Sequence, residues 1–131
     1  MSFELRAPSQ TTLYMRNFKN LKIWQKGLDV AIKSFQFVSS FPREERYGIS
    51  SQITRSAVSI PSNVAEGSSR KSDKDYNRFL EHSLGSSFEL ETQILIAQAV
   101  NFGEKATGEL LLKDIDKEQK MLMSFMSKLD K

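Results

Sequence analysis

"RSAVSIPSNVAEGSSRKSDKDYNRFLEHSLGSSFELETQ", Arg55 to Gln93, decides how the chain is read. The stretch is dense in Arg, Asn, Glu, His, Ser and Thr, the residue types of an active site. It is also periodic. Entering it, Ile49, Ile53, Ser56, Ile60 and Val64 step by four and three, which puts them on one helical face. Phe79, Ser83, Ser86, Leu90, Ile94 and Ala97 form a second such face, with Leu80, Leu84 and Leu95 beside it. The polar residues fall on companion stripes. Gln52, Arg55, Ser59, Ser62 and Glu66 line one helix, and Arg78, His82, Gly85, Glu89 and Thr92 line the other. The stretch therefore reads as two amphipathic helices facing each other through a polar seam.

Local signals set the boundaries. The first of these two helices begins near Tyr47 or Gly48. Pro61 falls inside it, removing one backbone bond and crowding the carbonyl of Ala57, so a kink or loosened turn is expected. Gly67 is placed as a C-terminal cap. Ser72 is a plausible N-cap for the next helix, with Asp75 three residues on, as in a capping box. That helix is expected to fade near Asn101 to Gly103.

Working outward, Leu21, Trp24, Leu28, Ala31, Phe35 and Val38 give an earlier helix one apolar seam. Ile23, Val30 and Phe37 give it a second, wider than the stripe a surface helix needs. Phe41-Pro42 ends it, because the residue before proline avoids the α region. A last helix runs from about Thr107, with Leu111, Ile115, Leu122, Phe125 and Leu129 in register and Glu118 interrupting them. No strand-like alternation competes. The fold class is all-α, an up-down-up-down four-helix bundle. Residues 1–19 read as an N-terminal arm and residues 20–131 as the bundle domain.

Composition bounds the function. The chain of 131 residues suits one domain with one core. It has 0 cysteines, so it carries no disulfide, thiolate nucleophile or Cys-based zinc site. Neither a signal-peptide pattern nor a membrane-length apolar run is present, so the expected location is cytoplasmic, away from membranes. A net charge of +3 permits nucleic-acid binding without requiring it.

Catalysis fails on counting. A di-iron bundle needs a Glu-x-x-His pair on each of two helices. The sequence has 1 histidine, His82, and Phe79 stands three residues before it. A Ser-His-acid set of Ser59, His82 and Glu89 has neither a nucleophile elbow nor an oxyanion hole beside it. No enzyme, cofactor or metal is expected. Instead, the polar stripes are expected to satisfy each other: Arg55 paired with Glu66, Glu89 or Glu91, with Gln52 and Asn63 in the same seam. Gly85 implies close packing, since a helical glycine costs about 0.5–1 kcal/mol relative to alanine. Trp24, Phe35 and Phe37 are expected in the core, and Tyr14, Phe18 and Tyr76 as exposed contacts.

Three segments, "LKIWQKGLDVA", "YGISSQITRSAVSIPSNVAEG" and "FLEHSLGSSFELETQILIA", occur in that order over roughly Phe18 to Phe102. In them the chain resembles the four-helix-bundle family encoded in intervening sequences of bacterial large-subunit ribosomal RNA genes. The resemblance implies a four-helix protomer assembled into a homopentamer, with no established enzymatic activity. A similar fold serves as the accessory protein of diversity-generating retroelements, a basic barrel that binds nucleic acid and a reverse transcriptase. The implied partners are therefore further copies of the chain, RNA or DNA, and a protein such as a reverse transcriptase. The leading expectation is an oligomer that binds structured RNA. The rival is a protein–protein scaffold without nucleic-acid contact.

The residues expected to carry RNA binding are Arg70, Lys71, Lys74 and Arg78, with Ser68, Ser69 and Ser72 beside them. Cations at a helix start oppose the macrodipole, and a bound phosphate would relieve that conflict. Asp73 and Asp75 offset part of the charge, and Ser72 has an ordinary role as a cap.

Overall fold

The computed structural model describes residues 17–129. The expectations for residues 1–16, Tyr14 included, lie outside the described residues. A 3-10 turn at Phe18–Asn20 leads into helix α1, Lys22–Val38. A second 3-10 turn, Arg43–Glu45, precedes α2, Ile49–Ser68; then come α3, Asp73–Ala99, and α4, Lys105–Leu129. No strand occurs among the described residues. Each helix packs on the next in sequence, and α4 packs back on α1.

The core divides into two parts. One is built from Val30, Phe37, Ile53, Ile60, Leu90, Ile94, Leu111 and Ile115, among others. Phe37, Phe41 and Phe102 seal it, with ring centroids 5.1 Å apart for the first pair and 5.6 Å for the second. This aromatic plug dictates the α3–α4 turn. A Cβ on Gly103 would lie 2.5 Å from Phe37 and 2.8 Å from Phe41, and its φ of +80° is left-handed, so glycine is required on both counts. The other part gathers Ile23, Val64, Tyr76, Leu80 and Leu122, with Phe125 packed against it.

The sequence reading of the helices holds with a few displacements. Ser72 caps α3, accepting a hydrogen bond from the Asp75 N–H at 3.1 Å. Helix α2 runs unbroken through Pro61, which is buried against α1. Gly67 is not a cap beyond the helix end but a buried residue inside the last turn. A Cβ there would meet Phe79 Cβ at 2.8 Å, so its role is to let α3 approach. Tyr76, expected outside, is wholly buried and its ring lies 5.6 Å from that of Phe125. Phe18 is half-buried, edge-on to Trp24 at 5.2 Å.

Helix α1 departs most from expectation. Phe37 is in the core, but Phe35 is 53% exposed and Leu28 38% exposed. The core-facing side of α1 is Ile23, Gly27, Val30, Ala31, Ser34 and Phe37. The second seam is thus the one that faces the core, while the first splits: Ala31 is buried, and Leu28 and Phe35 face water.

Candidate functional site

The polar seam between α2 and α3 is a ladder of hydroxyls. Ser56 Oγ donates to Glu89 Oε1 at 3.1 Å, and Ser59 and Ser86 share a hydrogen bond of 2.7 Å. Ser83 Oγ, fully buried, donates to the Ile60 carbonyl at 2.8 Å. Asn63 Nδ2 donates to the Ser59 carbonyl at 2.8 Å and to its hydroxyl at 2.9 Å. Short side chains let the two backbones approach while leaving few buried polar atoms unpaired.

Arg55 does not join this ladder. It is exposed and forms no ion pair among the described residues, and Glu66 and Gln52 are exposed as well. Glu89 takes Ser56 and Gln93 instead, and Glu91 accepts from Gln119 Nε2 of α4 at 2.8 Å. The expected pairing of Arg55 is absent among the described residues, because its side chain stays in solvent at the edge of the α2–α3 contact. Gly85 is likewise exposed, with nothing within 4 Å of a Cβ built there. The Ser59, His82, Glu89 set is not assembled: Ser59 bonds Ser86, Glu89 bonds Ser56, and His82 lies exposed against Phe79 at 6.4 Å.

The contact between α1 and α4 is ionic. Asp114 accepts from Lys26 Nζ at 2.7 Å and from Lys33 Nζ at 2.6 Å. Asp29 completes the clasp, 3.4 Å from Lys26 and 3.0 Å from Lys33. Burial works to raise the pKa of the Asp114 carboxyl, but hydrogen bonds from Lys26 and Lys33 outweigh it, and the net displacement is downward. One turn on, Glu118 is wholly buried with neither oxygen hydrogen-bonded. Burial pushes its pKa from 4.5 up to about 8, against the lowering influence of Lys26. A Cβ on Gly27 would lie 2.8 Å from its Oε2, so the glycine makes room for the carboxyl. Among the described residues, no group of three or more His, Cys, Asp or Glu is placed to hold a metal ion.

The four expected contact residues, Arg70, Lys71, Lys74 and Arg78, are all exposed. The Arg70 guanidinium stacks over the Phe79 ring at 4.5 Å. The helix start itself is occupied: Ser72 caps it, and Asp73 and Asp75 supply the anions its dipole favours. The cations thus surround a helix start at which one backbone N–H, that of Asp75, is already taken by Ser72.

Cations also line two surface pockets. Lys74 and Arg78 share a shallow pocket with Leu129, the last described residue of α4. Lys22, Lys117, Lys120 and Lys128 rim a groove between α1 and α4. These lysines escaped the sequence reading because they come from opposite ends of the chain and no short motif contains them.

Two exposed apolar rows stand out: Leu28, Ile32 and Phe35 on α1 with Val58 on α2, and Phe88 and Leu95 on α3 with Met123 on α4. Helical register sets the first four along the α1–α2 side and the others along the α3–α4 side.

Among the described residues, no helix is long and apolar enough to cross a membrane. No curated protein matches the chain. A crystal structure at 1.70 Å of a protein with unknown function from the S23 ribosomal protein family of Bacteroides thetaiotaomicron VPI-5482 is similar in fold. Its TM-score is 0.71 at 22% identity, covering 79% of this chain and 97% of that one. The sequence profile of the 23S rRNA-intervening sequence proteins matches residues 19–124. That span takes in the hydroxyl ladder, the ionic clasp and most of the cationic end, and the chain belongs to the 23S rRNA-intervening sequence protein family.

Proposed function

We propose that this protein is a non-enzymatic, ring-forming helical bundle that binds structured RNA through one basic end. The observation that carries the reading is a run of exposed cations, Arg70, Lys71, Lys74 and Arg78, around the α2–α3 turn and the first turns of α3. Lys74 and Arg78 line a shallow pocket that reaches Leu129 of α4. A sequence-independent polyanion contact needs this kind of exposed positive surface. The shared end of α1's start and α4's finish, together with short turns, supports an up-down-up-down path.

The apolar rows support assembly. Contiguous exposed apolar surface marks an interface. Two different rows on opposite sides of one protomer suit a heterologous contact, which closes into a ring when the rotation permits. Five copies follow from the family resemblance. A ring would repeat the basic end around an axis and multiply its phosphate contacts.

The test is RNA-hairpin binding across a salt series, wild type beside Lys71→Glu, Lys74→Glu. Affinity should fall steeply with salt, and the variant should show a shallower slope, by about two phosphate contacts. Wild-type binding that ignores salt, or an unchanged slope in the variant, overturns the reading.

A further inference from the structure

We propose that the groove between the start of α1 and the last three turns of α4 docks an acidic amphipathic helix of a partner protein. The groove has a cavity volume of about 490 Å³. Its rim is Lys22 on one side and Lys117, Lys120 and Lys128 on the other, all exposed. Its floor is apolar: Leu21, Met121 and Phe125, each half-buried.

Charge complementarity selects the occupant. Lys120 has a carboxylate neighbour, Asp116 at 2.9 Å, on open surface where such pairs contribute little. Lys22, Lys117 and Lys128 form no ion pair among the described residues. Four cations around an apolar floor match a ligand with one apolar row flanked by carboxylates. The α4 side from Lys117 to Lys128 spans roughly 16 Å, about three helical turns. That is the footprint of a short helix laid in a groove.

A nucleic acid fits this groove less well. Its phosphates would use the lysines but leave the apolar floor in water. A stacked base needs an open ring, and Phe125 is already packed against Tyr76 with centroids 5.6 Å apart. A second copy fits less well too. The exposed apolar rows of the described helices lie on the α1–α2 and α3–α4 sides, where neighbouring helices flank them and present broad faces rather than a free cylinder.

The experiment uses the full chain and fluorescence anisotropy. The probe is a synthetic helical peptide of about 12 residues, with leucines on one face and glutamates on its flanks. A scramble of the same composition destroys the apolar row, and an RNA hairpin serves as the nucleic-acid probe. The amphipathic peptide should bind, with the scramble at least about tenfold weaker. Lys117→Glu with Lys128→Glu should weaken the peptide at least about tenfold, while Lys71→Glu with Lys74→Glu leaves it unchanged. The altered lysines are exposed, so a melting curve like that of wild type is expected. Equal binding of the scramble reduces the groove to bulk charge and overturns the proposal. So does undiminished peptide binding by the groove variant. Loss of the hairpin but not the peptide in that variant assigns the groove to RNA, and a fall in its mass by light scattering assigns it to self-assembly; either result overturns the proposal. Failure of RNA binding at the α2–α3 turn leaves the peptide, scramble and light-scattering readouts intact.

Discussion

Between α2 and α3, serine hydroxyls hand hydrogen bonds across a close contact, and an asparagine amide of α2 braces one of them from its own helix. Between α1 and α4, full charges meet: two lysines clasp Asp114, and a bare carboxyl, Glu118, is buried one turn away. The hydroxyls and amide of the first seam do not titrate in the neutral range. The second depends on protonation state. The protein therefore has one side whose stability ignores pH and one side that follows it.

The largest expected effect tests the titrating side. The pKa of Glu118 is displaced upward in the folded chain, from 4.5 to about 8. Between those values the folded state holds a proton that the unfolded state has released. Its stability is therefore full below pH 4.5 and falls as pH rises toward 8. The loss is roughly 3–5 kcal/mol once the carboxyl is ionised in both states. Glu118→Gln keeps the shape and removes the titration. Urea midpoints at pH 5 and pH 9 should diverge for wild type and converge for the variant. A wild-type midpoint that does not move would erase the contrast between the seams.

The second effect is smaller and belongs to the hydroxyl ladder. Ser83→Ala removes the bond to the Ile60 carbonyl and should cost about 0.5–1.5 kcal/mol. The cost should be the same at both pH values. A pH-dependent loss would mean that the two seams are coupled through the core.

The smallest effect concerns Arg55. As an exposed residue without an ion pair, its replacement by alanine should change stability by less than about 0.5 kcal/mol. A loss near 3 kcal/mol, read from the same urea curves, would mean that Arg55 is buried against another chain with its charge compensated there.

Periodicity carried the helices because each needed only its own residues. The Ser72 cap and the Ile53–Ile60–Val64 face depend on neighbours three or four positions away, so they were legible. The site was less so. Arg55 and Ser56 are adjacent in sequence, yet a helical step of about 100° sends one to water and the other to Glu89. A stripe of polar residues cannot tell which of its edges faces the neighbour. Phe35 misled for the same reason: its apolar row is genuine, but which apolar row a helix turns inward depends on the other helices. Glu118 looked like a mere interruption in the last helix. Its burial depends on Gly27, which brings α1 close enough to enclose it. The lysine groove was the least visible, being made by the first and last helices together.

The α1–α4 contact also has a kinetic meaning. Lys26 and Asp114 are 88 positions apart, whereas the other helix contacts join neighbours in sequence. Closing so long a segment costs the most chain entropy of any contact in the bundle, so the clasp is the seam whose formation comes late in folding. Interactions absent from the transition state govern the rate of unfolding rather than of folding. The lysine clasp then acts as a latch on the lifetime of the folded chain, and ionisation of Glu118 beside it would shorten that lifetime without slowing the search that builds the fold.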